Sequence, residues 1–292
     1  MGERELRPLV EGGNYFEGPR WHDGQWWVSD FYRQTVYAID PQTGYETPVL
    51  EVDGQPSGLG WLPDGTLLAV SMRDHRLLRG DGSVHADLSD YCGGHLNDLL
   101  VDGEGRAYAG NFGFDLMNFA DPQGTSLVRV DPDGSVHEAA DDLWFPNGMA
   151  IQNGTLIVAE TFAGRLTAFT IGADGSLSDR RVWGQIAPRV EPGPVVEMLP
   201  NMGFAPDGIA LDADGHVWAA DGLGGPTCRI APGGEIVDEI QLPDDLGAFA
   251  CMLGGEDGKT LLLCAAPDFA EENRKAAREA ILFTTTVEVP AP

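Results

Sequence analysis

Apolar residues along the chain come in short runs of four to six, paired across a tight polar turn. "SGLGWLPDGTLLAVS" from Ser57 and "DGIALDADGHVWAAD" from Asp207 show the form, with Leu, Ile, Val, Ala and Trp on either side of Pro63-Asp64-Gly65 or Asp212-Ala213-Asp214-Gly215. Runs of this length bounded by Asp-Gly turns predict β-hairpins. A further strand often follows, as in "QTVYAID", "SLVRVD", "RLTAFTI" and "TCRIAP", and segments such as "ETPVLEV" supply a fourth. Helical spacing is scarce: "AEENRKAAREA", from Ala270 to Ala280, predicts one solvated helix between strands.

The hairpin pattern repeats. It begins at Glu17 ("EGPRWHDGQWWVSD"), Ser57, Asn97 ("NDLLVDGEGRAYAGN"), Asn147 ("NGMAIQNGTLIVAE") and Asp207, and in worn form at Phe249 ("FACMLGGEDGKTLLLCAA"). Successive starts are 40, 40, 50, 60 and 42 residues apart, which is the length of a propeller blade. A four-stranded unit cannot bury both faces alone, but units arranged radially pack on one another and close a ring. The expected architecture is all-β, a six-bladed β-propeller formed by residues 1–292 as a single domain, with a pair of β-sandwiches as the alternative. The strand-like "LRPLVEGG" near the N-terminus and "AILFTTTVEVP" near the C-terminus are expected to lie together and close the ring.

Composition narrows the function. With 46 acidic against 18 Lys and Arg residues, the formal charge of −28 repels a phosphate backbone and an anionic membrane surface. Nucleic acid and membrane are therefore not expected partners. No apolar run approaches the roughly 18 residues of a membrane span, and the charged N-terminus "MGERELRPLV" has no signal-peptide core, so a soluble cytoplasmic protein, monomer or dimer, is expected. The four cysteines, Cys92, Cys228, Cys251 and Cys264, have no CxxC spacing and read as free structural thiols.

In a propeller the first residues of every inner strand converge at one mouth of the axial channel. Here those positions hold Glu17, Ser57, Asn97, Asn147, Asp207 and Phe249. Asn and Asp before Gly also form turns, but Glu17 is no turn former, and all but Phe249 bear oxygen while none is basic. Two carboxylates brought together raise each other's pKa unless a cation neutralises them, and carboxylates with amide carbonyls make a hard-cation ligand set. Glu17, Asn147 and Asp207 are the expected axial metal ligands, with Asn97 as a further ligand or a substrate contact.

At these residues the chain resembles the family of senescence marker protein 30, gluconolactonase and luciferin-regenerating enzyme. The resemblance covers nearly the whole chain and rests on "EGPRW" at Glu17, "LNDLLVDGEGRAYAGN" at Asn97, "FPNGMAI" at Asn147 and "PDGIALDADGHVWAAD" at Asp207, in order and at blade spacing. It implies a propeller binding one divalent cation, calcium first and zinc or another metal next, and opening lactones. It places the metal ligands on Glu17, Asn147 and Asp207 and the substrate-contacting Asn on Asn97. Sugar-lactone members commonly carry Arg two residues before that Asn, where this chain has His95. Loss of a charged five-donor fork weakens the case for a polyhydroxylated substrate.

Nearby loops are apolar. Phe112, Phe114, Trp144, Phe145, Phe162, Met202 and Phe204 are expected near the mouth, about half of them as pocket walls and the rest as packing between blades. That pocket would suit an alkyl or aromatic lactone or ester, contacted by Asn97, His95 and Phe residues. The long stretch from Gly184 to Pro206 reads either as a lid or as a passive surface loop.

The mechanism expected is metal-assisted hydrolysis, with Asp207 as ligand and proton acceptor or His95 as the base. No GxSxG elbow, HExxH pair or GxxxxGK[ST] loop occurs, which removes serine-hydrolase, zincin and nucleotide-dependent readings. A non-catalytic metal or ligand-binding propeller and an arylesterase or phosphotriesterase on the same metal remain as alternatives.

Overall fold

A computed structural model describes residues 4–292; the first three residues of the charged N-terminal stretch lie outside it. The chain forms six four-stranded sheets. The first blade joins β2 (Phe16–His22), β3 (Gln25–Asp30), β4 (Thr35–Ile39) and β5 (Glu46–Glu51) as an antiparallel meander. The same order recurs from inner strands β6 (Pro56–Trp61), β10 (Leu96–Val101), β14 (Pro146–Gln152) and β18 (Pro206–Leu211). The last blade starts at β22 (Gly247–Gly254), continues through β23 (Thr260–Ala266) and β24 (Ala280–Thr286), and takes β1 (Arg7–Gly13) as its outer strand. Pairing of β1 with β24 joins the two ends of the chain, as the strand-like termini predicted, and leaves no open gap in the ring.

Each inner strand touches the next, and β22 touches β2, so the six line one channel. Every one of them carries a register irregularity in its first turn, between Glu17 and Arg20, Pro56 and Leu59, Leu96 and Leu99, Pro146 and Met149, Pro206 and Ile209, and Ala248 and Ala250. Bulges bend a strand and re-aim a side chain, and these sit at the repeated site positions. The glycine beside the site residue has a packing cause. A Cβ on Gly58 would lie 2.2 Å from the backbone nitrogen of Leu99, and one on Gly148 would lie 2.5 Å from the carbonyl of Asp207. Gly58→Ala is therefore expected to cost about 3 kcal/mol through overpacking, seen as a lower denaturant midpoint; an unchanged midpoint would refute this account of the glycines.

Apolar residues fill the wedges between blades. Trp218, Cys251, Leu261 and Leu263 pack between the fifth and sixth blades, and Ile157, Leu166, Val217 and Cys228 between the fourth and fifth. All four cysteines are unpaired thiols. No helix among the described residues is long and apolar enough to cross a membrane.

The helix expected over Ala270–Ala280 is shorter, α2 (Glu271–Ala276), and is not wholly solvated. Asn14 Nδ2 donates to the carbonyls of Arg274 and Ala277, at 2.9 Å each, and so takes up acceptors at the helix end. Arg274 is buried in ion pairs with Asp268 and Glu279 at 3.2 and 3.1 Å. The Gly184–Pro206 stretch holds a short helix, α1 (Val195–Met198), followed by a 3-10 turn at Leu199–Asn201.

Candidate active site and metal centre

The channel mouth opens into a cavity of about 90 Å³ whose lining includes Glu17, Asn97, Asn147 and Asp207 together with His95. Ser57 stands behind them in a hydrogen-bond chain. Ser57 Oγ donates to Asn97 Oδ1 (3.1 Å), Asn97 Nδ2 to Asn147 Oδ1 (3.0 Å), Asn147 Nδ2 to Thr161 Oγ1 (3.1 Å), and Thr161 Oγ1 to the Pro206 carbonyl (2.9 Å). Because an amide has one acceptor and one donor end, this chain orients both asparagines. It also ties the second blade through to the fifth.

No ion pair reaches the floor carboxylates among the described residues, and Arg20 offsets their burial only in part. Burial, then the neighbouring Asp207 and Asp98, push the Glu17 carboxyl well above the usual carboxylate range. Burial and Asp98 do the same to Asp207, and burial raises Asp98. The cation nearest these groups is Arg20, which gives its donors to the carbonyls of Pro19 (2.7 Å), Leu59 (3.0 Å) and Leu99. Glu17 itself accepts from the Gly18 N–H at 2.9 Å. Among the described residues no three His, Cys, Asp or Glu side chains converge in a ligating arrangement. The set that could hold a cation is therefore two carboxylates, Glu17 and Asp207, with the amide oxygen of Asn147, which suits a hard ion.

The walls are largely apolar. Phe112, Phe145, Phe162 and Met202 line the cavity, and the rings of Phe112 and Phe145 lie 4.5 Å apart. Phe114 packs edge-on to Phe162 at 5.2 Å and faces an adjoining groove instead. Phe204 is not at the mouth: it is buried between blades with Ala187, Leu166 and Ile209. Successive residues of an extended chain point to opposite sides, so Ala205 and Asp207 face the cavity and Phe204 faces away. Trp144 also lies off the cavity lining, under the Arg189 guanidinium at 4.2 Å.

His95 is half-buried, tilted against Phe112 with centroids 5.6 Å apart. Burial, then Arg73 and His75, lower its pKa below the ordinary histidine value, so the ring is neutral at pH 7.

Several lining residues carried no sequence signal. Leu116 and Met117, Leu199, and Phe269 with Glu271 come from three separate segments that reach over the mouth. Tyr15 and Phe31 enter from the turns flanking the first blade's hairpin. Thr161 follows β15 (Thr155–Glu160), and nothing in its spacing marks it. Phe249 was legible as the sixth inner-strand position.

Fold and site together define a six-bladed propeller with an acidic pocket on its axis. The chain belongs to the SMP-30/gluconolactonase/LRE-like family, whose family model matches residues 16–267. It is 27% identical over 274 residues to a 6-deoxy-6-sulfogluconolactonase of Pseudomonas putida, covering 90% of this chain and 87% of that one. It is 27% identical over 263 residues to a pentonolactonase of Haloferax volcanii, with 86% and 81% covered. Among solved structures, a calcium-binding regucalcin from Agrobacterium tumefaciens superposes with a TM-score of 0.77 at 20% identity, covering 100% of this chain and 98% of that one.

Proposed function

We propose that the protein hydrolyses a small lactone bearing alkyl or aromatic substituents, using one divalent cation, calcium before zinc, held by Glu17, Asn147 and Asp207. The observation that carries this reading is the carboxylate pair at the floor of an apolar cavity, Glu17 buried and Asp207 half-buried, with no ion-pair partner for either among the described residues. Relatives named for opening lactones and a calcium-binding relative of the same fold support the reaction class and the ion.

A bound cation supplies polarisation of the acyl oxygen and acidifies water beside it. The chain's own groups do the rest. Asn97, oriented by Ser57, contacts the substrate. Phe112, Phe145 and Phe162 enclose its apolar part and exclude water. The proton leaving the attacking water goes to Asp207 or to the neutral ring of His95. The two lactonase relatives are named for polar sugar lactones, whereas this cavity offers aromatic walls and His95 where sugar-lactone members commonly carry arginine. The preferred ring is therefore expected to be less polar than gluconolactone.

Gluconolactone, an alkyl γ-lactone, dihydrocoumarin, phenyl acetate and paraoxon, assayed before and after chelation, test this. Opening of the alkyl or aromatic lactones only with cation present is the expected result. Preference for phenyl acetate or paraoxon would favour an arylesterase or phosphotriesterase instead, and a bound ion without turnover would favour a binding propeller.

A further inference from the structure

We infer that the groove adjoining the cavity is a second subsite, filled by a long neutral alkyl chain on the lactone whose ring occupies the cavity, an assignment that rests on the hydrolase reading above. The two spaces share their walls: His95, Phe112, Leu116, Met117, Phe269 and Glu271 line both. They differ in size. The cavity, at about 90 Å³, has room for about six to nine water-sized groups, which is one small ring and little more. The groove offers about 950 Å³ and takes what the cavity cannot.

Two segments wall the groove, and each is fixed by its own hydrogen bonds. On one side the 3-10 turn Leu116–Asn118 is capped by Asp115, whose Oδ1 accepts from the Asn118 N–H at 3.2 Å and whose Oδ2 accepts from Asn118 Nδ2 at 2.7 Å. On the other side α2 is held at its end by Asn14 and at its start by Arg73, which follows β7 (Leu67–Ser71). Arg73 Nη2 donates to Glu271 Oε1 at 2.6 Å, and its Nε donates to Gln55 Oε1 at 3.0 Å. Lys275 Nζ also donates to Glu271. These polar groups are engaged with one another, which leaves the apolar strip of Phe112, Leu116, Met117, Phe119 and Phe269 to a ligand. A chain ending in carboxylate or phosphate would meet Asp115, Glu271 and Glu272, whereas a neutral chain carries no such penalty.

Phe119 sets this strip apart from ordinary surface. It is 59% exposed, and its backbone is left-handed, with φ 55°. A bulky side chain adopts that conformation at a cost that Gly or Asn largely escapes. Among the described residues one other phenylalanine is so held, Phe145 at φ 60°, and it walls the cavity. Backbone strain of this kind collects at ligand clamps. A chain running from the cavity into the groove covers the exposed ring, and each methylene it buries strengthens binding.

γ-Lactones bearing a methyl, butyl or octyl chain beside the ring oxygen, assayed on the calcium-loaded protein, test the assignment. kcat/KM is expected to rise about twofold or more per methylene along the series. Phe119→Asn, which suits the left-handed backbone, is expected to keep or raise the melting midpoint while cutting the octyl-to-methyl ratio of kcat/KM about tenfold. Ala270→Trp, which narrows the groove from the α2 side, should cut the same ratio. A kcat/KM that is flat along the series, or an octyl-to-methyl ratio that survives both substitutions, would overturn the assignment and leave the hydrolase reading standing. Failure of the unsubstituted, calcium-loaded protein to open any member would instead overturn the hydrolase reading, and the assignment with it.

Discussion

Glu17→Ala is expected to lose the bound cation and to lower kcat/KM for the preferred lactone by about a thousandfold. The physical reason is the small size of the donor set. Glu17 and Asp207 supply all its formal charge and Asn147 contributes a neutral oxygen, so removal of Glu17 halves the attraction for a divalent ion. Two readouts separate this from misfolding. Metal analysis should show loss of the ion, while the melting midpoint of the metal-free variant should equal or exceed that of the metal-free parent. The sign of the second effect follows from the floor itself: Glu17 is repelled there by Asp207 and Asp98, and its removal relieves a buried charge rather than breaking a pair. Glu17→Gln, which keeps the shape and loses the charge, should behave like the alanine variant. Retention of both ion and turnover in Glu17→Ala would sink the assignment of the site.

The metal-free protein is expected to lose stability as pH rises above the ordinary carboxylate range, and a divalent cation to restore more of it the higher the pH. Glu17, Asp207 and Asp98 all have folded-state pKa values raised by burial above their ordinary range. A carboxyl raised in this way favours the folded state while protonated. Its contribution is full below the ordinary carboxylate value and disappears as pH climbs through the raised one. The three groups share one floor, so their contributions are lost together as pH rises. Surface aspartates such as Asp81, Asp133 and Asp174, held low by hydrogen bonds from nearby serines, act with the opposite sign and lose their contribution only as pH falls through their lowered values. Thermal melts of chelated protein across this range, repeated for Asp207→Asn, give the check. The variant should show a shallower slope, and identical slopes would show that the floor carboxylates do not control stability.

Much of the architecture was legible in the chain. Hairpins at blade spacing announced six repeats, and the repeat alignment picked out Glu17, Asn97, Asn147 and Asp207, which the tertiary structure brings to one cavity. The repeat also holds a signal beyond those four: where four blades have glycine after the site residue, the third has Asp98, and that carboxylate is buried beside the others. Phe204 was misplaced for a local reason, since being near Asp207 in sequence does not decide which side of an extended segment a side chain takes. The helix over Ala270–Ala280 was overextended because helical propensity does not register Asn14, some 260 residues away, capturing its last carbonyls.

By itself, then, the sequence determined the repeat, the hairpins and the identity of the residues at the head of each inner strand, because strand period and turn chemistry are local properties written within each unit. Tertiary structure alone decided which aromatic rings wall the cavity and that Arg20, beside its floor, gives its donors to backbone carbonyls rather than to the carboxylates. Those outcomes depend on contacts between distant segments, and such packing has no period for the chain to display.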